Sequence, residues 1–114
     1  MKRFVLLSLI ACGCLMVGTM MWAGDKGGET TFHSLKCYIC HKPDRKSAGP
    51  SLPEIAKAYS GQQQRLAQYL KGESEALLDF GNQHLMQGKL EKTKEISDGE
   101  RRDLADYILS FGGK

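Results

Sequence analysis

The chain opens with a long run of apolar residues that begins with two positive charges. Lys2 and Arg3 precede an almost uninterrupted apolar stretch over residues 4–22, and the small residue Ala23 follows it. A charged start, an apolar middle and a small residue at the end are typical of a secretory signal peptide. The pattern therefore predicts a signal peptide over residues 1–23 and export of the remaining chain.

Two other interpretations of this segment stay open. The apolar run is about as long as a thin membrane span requires, so it also fits an uncleaved anchor. Residues 9–12 read Leu-Ile-Ala-Cys, as in a bacterial lipobox, which would place lipid on Cys12. All three interpretations export the domain and remove Cys12 and Cys14 from its folded part. The glycine-rich segment 24–28 then predicts a flexible leader before a domain over residues 29–114.

Apolar residues recur at helical spacing through most of the remaining chain. Two capping-box sequences, which begin at Ser51 and Ser97, mark helix starts. Residues 73–96 are less periodic and are expected to form a loop with one or two helical turns at most. No segment alternates as a strand does, so the domain is predicted to be all-α, with four to five short helices. The predicted helices cover residues 29–40, 51–59, 62–71 and 97–112.

Length and charge exclude several classes of protein. The chain has 114 residues, of which 41% are hydrophobic and 25% are charged. It is too short for a TIM barrel or a two-domain dehydrogenase. The net charge is +3, and loss of Lys2 and Arg3 with the signal peptide would leave +1. No basic stripe then remains to bind nucleic acid, and no acid–base pair or nucleophile arrangement predicts catalytic residues.

The most informative motif is the run Cys-Tyr-Ile-Cys-His at residues 37–41. The spacing C-x-x-C-H is the attachment motif of c-type haem. Positions i and i+3 of a helix share a face. Two thiols placed there can form thioethers with the two vinyl groups on one edge of a porphyrin, and His41 can then reach the iron. The motif and the export signal together predict one covalent haem c with its iron.

Three other uses of the two cysteines fit less well. A disulfide between residues three apart is uncommon as a structural link. A thioredoxin-like pair would need a βαβ pattern, which this sequence lacks. A structural zinc site would need four ligands, and His33 and His84 lie at spacings that match no common zinc module.

Further motifs follow the attachment site in a familiar order. They are Gly49-Pro50-x-Leu52, a late Met86, and Leu104-x-x-Tyr107-Ile108 in the last predicted helix. With the motif at 37–41, they resemble the small bacterial class I cytochromes c over residues 29–111. The resemblance implies that family's all-α fold, with short helices around one covalently bound haem.

The resemblance also implies roles for individual residues. Cys37 and Cys40 would bond the haem, and His41 would be the proximal iron ligand. The His41 ring N–H would donate to the Pro50 carbonyl, which would fix the tautomer and make the imidazole a better ligand. Leu52 would lie beside the haem with Pro50. The first and last helices would cross near right angles, close to Phe32, Leu104 and Tyr107.

The sixth iron ligand has two candidates. The family usually supplies a Met from the loop before the last helix, often followed closely by Pro. Met86 is the only Met after Met21, although Gly88 stands where the Pro would be expected. The resemblance therefore implies Met86 as the distal ligand, with His84 as the alternative. A thioether ligand raises the reduction potential, whereas two imidazoles would lower it.

Other polar residues are candidates for contacts with the haem or with a partner. Haem propionates that are buried need hydrogen-bond donors. The candidate donors are Tyr59, Arg65 and Tyr69, and helix packing is the alternative explanation for the two tyrosines. A basic cluster near the attachment site would suit an acidic redox partner, unless it is simply a solvated loop. Its members are Lys42, Arg45 and Lys46.

These observations predict a monomeric, periplasmic single-electron carrier with donor and acceptor proteins as partners. It would not itself be an enzyme, and it would contact a membrane only through a retained or lipidated N-terminal segment. One alternative is a haem subunit of a larger oxidoreductase. The other is a ligand-binding or peroxidase-like haem protein, which a labile Met86 would permit. The haem-free chain is expected to be largely unfolded or molten, because so short a domain has a thin core of its own.

Overall fold

A computed structural model of the protein describes residues 23–113. The predicted signal peptide, with Cys12 and Cys14, lies outside the described residues except for Ala23. Residues 23–113 form five α-helices and three short 3-10 helices without a strand, which confirms the all-α prediction. None of these helices has both the length and the apolar character that crossing a bilayer requires.

The α-helices are α1 (Ala23–Ser34), α2 (Leu52–Ala58), α3 (Gln63–Leu70), α4 (Gln83–Thr93) and α5 (Asp98–Leu109). The 3-10 helices are Cys37–Ile39, Phe80–Asn82 and Ser110–Gly113.

Both predicted capping boxes are present and set the starts of α2 and α5. The Ser51 hydroxyl accepts from the Glu54 N–H at 3.2 Å, and the Glu54 carboxylate accepts from the Ser51 N–H at 2.8 Å. The corresponding distances for Ser97 and Glu100 are 3.0 and 2.9 Å. Each pair satisfies two main-chain donors at a helix start, where donors lack partners within the helix.

Helix α1 begins earlier than predicted. Residues 24–28 are helical rather than a flexible leader, since α1 starts at Ala23 and not at Glu29. The reason lies at Gly28, where an added Cβ would be only 2.1 Å from the main-chain oxygen of Asp103 in α5. Glycine permits this close approach of two helix backbones. The resulting contact outweighs the poor helix propensity of glycine.

Helix α1 also ends earlier than predicted. It stops at Ser34, and Lys36 adopts a left-handed φ of 61° before the 3-10 turn Cys37–Ile39. The predicted helix over 29–40 is therefore two elements. Because residues i and i+3 eclipse each other in a 3-10 helix, Cys37 and Cys40 still project on the same side.

Residues 83–93 form helix α4, where a loop was predicted. The sequence shows no clean apolar stripe there, because the inner face of α4 mixes polar and apolar side chains. Met86 and Lys89 both line a cavity, while Leu85 is 59% exposed. The helix borders a cavity instead of a packed core, so its periodicity is weak.

A buried arginine ties the end of α4 to α5. Arg101 is 5% exposed, and its Nη1 donates to the carbonyls of Thr93, Lys94 and Ile96 at 2.9, 3.1 and 2.6 Å. Carbonyls at a helix C-terminus have no partner within the helix. The guanidinium satisfies them and holds the turn between the two helices, with the Asp98 carboxylate bound to its Nη2.

The core is built mainly where α1 packs against α5. The rings of Phe32 and Tyr107 lie 5.3 Å apart between their centroids, and Leu104 is fully buried. These are the residues expected at the contact of the first and last helices. Helices α2 and α3 pack against the same α5, so all four surround one side of the cavity.

Candidate functional site

A largely apolar cavity lies between the helices and is partly open to solvent. Ligand pockets commonly have such apolar walls with few polar groups. The apolar walls come from every α-helix of the described chain. They include Phe32, Leu52, Ile55, Leu66, Leu70, Leu78, Met86, Leu104 and Ile108.

Both thiols of the attachment motif line this cavity. Cys37 is buried and Cys40 is half-buried, and both are free thiols. The Cys40 N–H donates to the Cys37 carbonyl at 3.2 Å, which holds the turn that aligns the two side chains. Burial raises the pKa of the Cys37 thiol to about 11, against a smaller lowering by the Lys89 charge. The neutral thiol is therefore the stable form at neutral pH.

His41 is held in one orientation beside the thiols. Its Nδ1 lies 2.9 Å from the Pro50 carbonyl oxygen. A carbonyl oxygen only accepts, so this hydrogen bond places the proton on Nδ1 and leaves the lone pair on Nε2. Gly49 packs against the ring, since a Cβ on it would be 2.6 Å from Cε1 of His41. The hydrogen bond expected from the resemblance is thus present, and the imidazole has one nitrogen free to bind a metal.

The loop after the motif is fixed by main-chain hydrogen bonds. The Gly49 N–H donates to the Cys40 carbonyl at 3.0 Å, and the Leu52 N–H donates to the Lys42 carbonyl at 2.8 Å. These bonds bring Pro50 and Leu52 to the cavity wall. The Gly-Pro-x-Leu turn accordingly positions the ring of His41.

The two candidates for the distal ligand occupy different places. Met86 lines the cavity from α4 and is half-buried. His84, two residues earlier, is exposed and does not belong to the cavity wall. His33 is exposed as well. Among the residues that the structure describes, no three His, Cys, Asp or Glu side chains form a cluster able to hold a metal ion.

Two of the three candidate propionate donors line the cavity. The Tyr59 hydroxyl oxygen accepts from the Leu77 N–H at 3.2 Å, and the ring is 1% exposed. Tyr69 donates its hydroxyl hydrogen to Oε1 of Gln83 at 2.7 Å. Burial raises the pKa of both phenols, that of Tyr69 to about 12. Both therefore stay protonated at neutral pH, and Tyr59 keeps a free hydroxyl hydrogen to donate.

Arg65 is exposed on α3 and is not part of the cavity wall. Burial raises the pKa of Tyr59 and the Arg65 charge opposes part of that shift, so Arg65 stays a predicted donor to a propionate. Sequence reasoning missed Gln83 and Lys89, which both line the cavity. The signal that could have found them is their spacing from Met86. Gln83 precedes Met86 by three residues and Lys89 follows it by three, so a helix places them on the same face as Met86.

The basic cluster near the attachment site is largely neutralised by neighbouring carboxylates. Arg45 lies 3.0 Å from Asp44, and Lys46 lies 3.8 Å from Glu54. These side chains are mostly exposed, and exposed ion pairs contribute little stability. They nevertheless reduce the positive field that the cluster would present to an acidic partner.

The cavity fits the tetrapyrrole expected from the sequence. It combines an apolar interior with two aligned thiols and an imidazole whose Nε2 is free. A thioether enters from another helix, and hydroxyl groups lie at the wall. A flat apolar ring with polar carboxylates needs this combination of surroundings.

Comparison with known proteins agrees with the geometry. The sequence profile of the cytochrome c family matches residues 26–112. Cytochrome c-551 of Stutzerimonas stutzeri is 27% identical over 114 aligned residues, which cover 97% of this chain and 99% of that protein. Cytochrome c2 of Rubrivivax gelatinosus is 58% identical over 26 residues, 23% of this chain and 31% of that protein. With a match over most of its length and a helical fold around a cavity that holds a C-x-x-C-H turn, the chain belongs to the cytochrome c family and carries covalently bound haem c with its iron.

Proposed function

We propose that this chain carries single electrons between exported redox proteins, with one haem bonded by Cys37 and Cys40. His41 and Met86 are the two iron ligands in this proposal. The observation that carries it is the convergence of these four side chains on one apolar cavity. Haem iron supplies the one-electron change between its ferrous and ferric states. The protein residues bind the cofactor, exclude water from it and hold the ligands in place.

His41 is suited to bind the iron through Nε2. Its other ring nitrogen is engaged with Pro50 at 2.9 Å, and Gly49 lies against the ring. A hydrogen bond from the second nitrogen of a ligating histidine makes the imidazole a better electron donor. The ring therefore keeps one orientation in both oxidation states, which keeps reorganisation small.

Met86 is the distal ligand in this proposal because it reaches the cavity and His84 does not. A thioether favours ferrous iron and so raises the reduction potential. The apolar walls act in the same direction, because they disfavour the extra positive charge of ferric iron.

Tyr59 is the side chain best suited to bind a propionate. The Tyr59 hydroxyl has a hydrogen to donate, whereas the Tyr69 hydrogen already goes to Gln83. The Gln83 amide nitrogen donates to the Leu78 and Asp79 carbonyls at 3.4 and 3.2 Å, so both of its hydrogens are engaged and the side chain is fixed at the cavity wall. Tyr69 then acts by orienting Gln83.

The proposed partners are redox proteins that meet the open side of the cavity. Three large apolar side chains are exposed at the attachment turn and on α4, namely Tyr38, Ile39 and Leu85, at 41, 54 and 59%. A weak, transient encounter needs only a small apolar contact. The basic cluster contributes little to partner choice in this proposal, because two of its three members are paired with carboxylates. The signal peptide predicted over residues 1–23 supports a periplasmic location.

The proposal is tested by producing the full chain where c-type cytochromes mature and recording its mass and its optical spectra in both oxidation states. We expect the mass of one haem to stay on the polypeptide after denaturation. We also expect a low-spin spectrum that cycles reversibly between the two states. A mass without added haem would overturn the attachment, and a high-spin spectrum would overturn ligation by Met86.

A further inference from the structure

We propose that Lys89 keeps helix α4 closed over the haem cavity by bonding to the end of helix α1, and so limits access of small molecules to the iron. The Lys89 Nζ donates to the Leu35 carbonyl at 2.9 Å, 54 residues away along the chain. We call this hydrogen bond the Lys89 bridge. The inference rests on the haem site proposed above and assigns a positioning role within it.

The bridge joins helix α4 to the end of helix α1. Lys89 lies on α4, three residues after Met86 and on the same face. Leu35 follows the last residue of α1 and precedes Cys37 by two positions. A single side chain thus links the helix that carries the proposed distal ligand to the segment that leads into the attachment turn.

The chemistry of the bridge makes it stronger than an ordinary surface contact. The Leu35 carbonyl is at the C-terminus of α1, where carbonyls lack helical partners and the helix dipole is negative. An ammonium group satisfies the carbonyl and is attracted by the dipole. Lys89 is half-buried at the cavity wall, which reduces screening by solvent.

Helix α4 depends on such contacts because its backbone packs little against the other α-helices. Its closest main-chain neighbour is the adjoining 3-10 turn Phe80–Asn82. At its C-terminal end the Thr93 hydroxyl donates to the Leu70 carbonyl at 2.6 Å, and at its first residue Gln83 accepts from Tyr69 at 2.7 Å. Both of these bonds go to α3. Arg101 ties the C-terminal end of α4 to α5, and among the described residues the Lys89 bridge is the side-chain hydrogen bond that ties α4 to the end of α1.

Loss of the bridge should let α4 open more often, because segments held by few contacts open at low free-energy cost. Opening would expose the iron to small molecules without unfolding α1, α3 or α5. The expected effect is tighter binding of an exogenous ligand. Because Lys89 is still partly solvated, we expect the net contribution of an ordinary hydrogen bond, which corresponds to a change of about five- to tenfold.

The test is titration of the ferric holoprotein with imidazole, followed by its optical spectrum. Lys89→Leu removes the ammonium group and introduces no new iron ligand. Lys92→Leu is the matched control, since it removes the same charge from an exposed position of the same helix. Lys89→Arg retains a cationic donor at the end of α1. We expect imidazole to bind Lys89→Leu about five- to tenfold more tightly than wild type. We expect Lys92→Leu to bind imidazole with the wild-type affinity. We expect the affinity of Lys89→Arg to return partly or fully to the wild-type value.

Equal imidazole affinity in wild type and Lys89→Leu would overturn the proposal, as would an equal increase in Lys92→Leu. Should Lys89→Leu fail to accumulate with haem, the same titration of Lys89→Gln decides the question, because the shorter amide cannot carry the charge to Leu35. The outcome is separate from that of the proposed function. If the wild-type spectrum shows no methionine ligand but Lys89→Leu still binds imidazole more tightly than wild type, Met86 is excluded as the iron ligand and the role of the Lys89 bridge stands.

Discussion

His41 and Met86 are held in the cavity wall by different means. The imidazole is fixed by a hydrogen bond of 2.9 Å to Pro50 and by contact with Gly49. The thioether has three rotatable bonds and depends on the position of α4 for its place in the cavity. Changes on the proximal side should therefore affect haem attachment and ligand geometry together, whereas changes on the distal side should affect the sixth ligand alone.

Replacement of the thioether tests this division. We expect Met86→Ala to keep covalent haem and its proximal ligand, to lose the weak far-red sulfur-to-iron band of the ferric protein completely, and to have a lower reduction potential. His84→Ala is the matched control and should retain the band, because His84 is exposed. Optical spectra and a redox titration measure both effects. Survival of the band in Met86→Ala would rule out Met86 as the ligand.

Asp98 gives the fold a dependence on acid. The hydrogen bond from Arg101, together with the Lys71 charge at 3.5 Å, lowers the pKa of the Asp98 carboxyl. A carboxyl with a lowered pKa in the folded state stabilises the fold above its unfolded pKa, near 3.9. That stabilisation is lost as the pH falls through the folded value.

We therefore expect Asp98→Asn to have a lower free energy of unfolding than wild type at neutral pH. We also expect that free energy to fall less than in wild type when the pH is lowered. Urea unfolding of the holoprotein at neutral pH and near pH 3 measures the difference. Asp106→Asn makes the same chemical change at an exposed position of α5 and should leave both values close to wild type. Identical acid dependence in the two variants would contradict the role of Asp98.

At the scale of elements, one glycine of helix α1 and the glycine of helix α4 have opposite consequences. Gly28 lies where α1 meets α5, and an added Cβ would be 2.1 Å from the Asp103 oxygen and 2.6 Å from the Tyr107 Cβ. Gly88 lies in α4 with no atom within 4 Å of an added Cβ. Packing requires glycine at position 28, whereas Gly88 only lowers the stability of its helix.

We expect Gly28→Ala to destabilise the protein by about 2 kcal/mol or more, because the α1–α5 contact must open to admit a methyl group. Gly88→Ala should stabilise it by about 0.5 to 1 kcal/mol, since alanine favours the helix and meets no obstacle. Thermal unfolding of the two holoproteins, followed by circular dichroism, gives both values. A destabilised Gly88→Ala, or a neutral Gly28→Ala, would contradict the packing described for α1 and α4.

Over the whole molecule, the sequence predicted those parts of the fold that have a local cause. The capping boxes at Ser51 and Ser97 and the Cys37–His41 motif depend on neighbouring residues, so they were visible in the chain. The early start of α1 depends on a contact between Gly28 and α5, which no local pattern encodes. Helix α4 was missed because its inner face borders a cavity, which removes the apolar periodicity that predicts a helix.

The same cavity dominates the stability of the whole domain. The cavity is largely apolar, and side chains from all five short α-helices line it. The side chains around it would face water if the haem were absent, so little apolar surface would be buried on folding.

We therefore expect a double variant, Cys37→Ala with Cys40→Ala, to lose covalent haem and most of its helical signal and cooperative thermal transition. Circular dichroism during heating measures this loss. Met86→Ala is the matched comparison, because it changes the cavity wall but retains both thioethers and should still melt cooperatively. A cooperative melt of the double variant near that of the holoprotein would mean that the helices need no haem to pack.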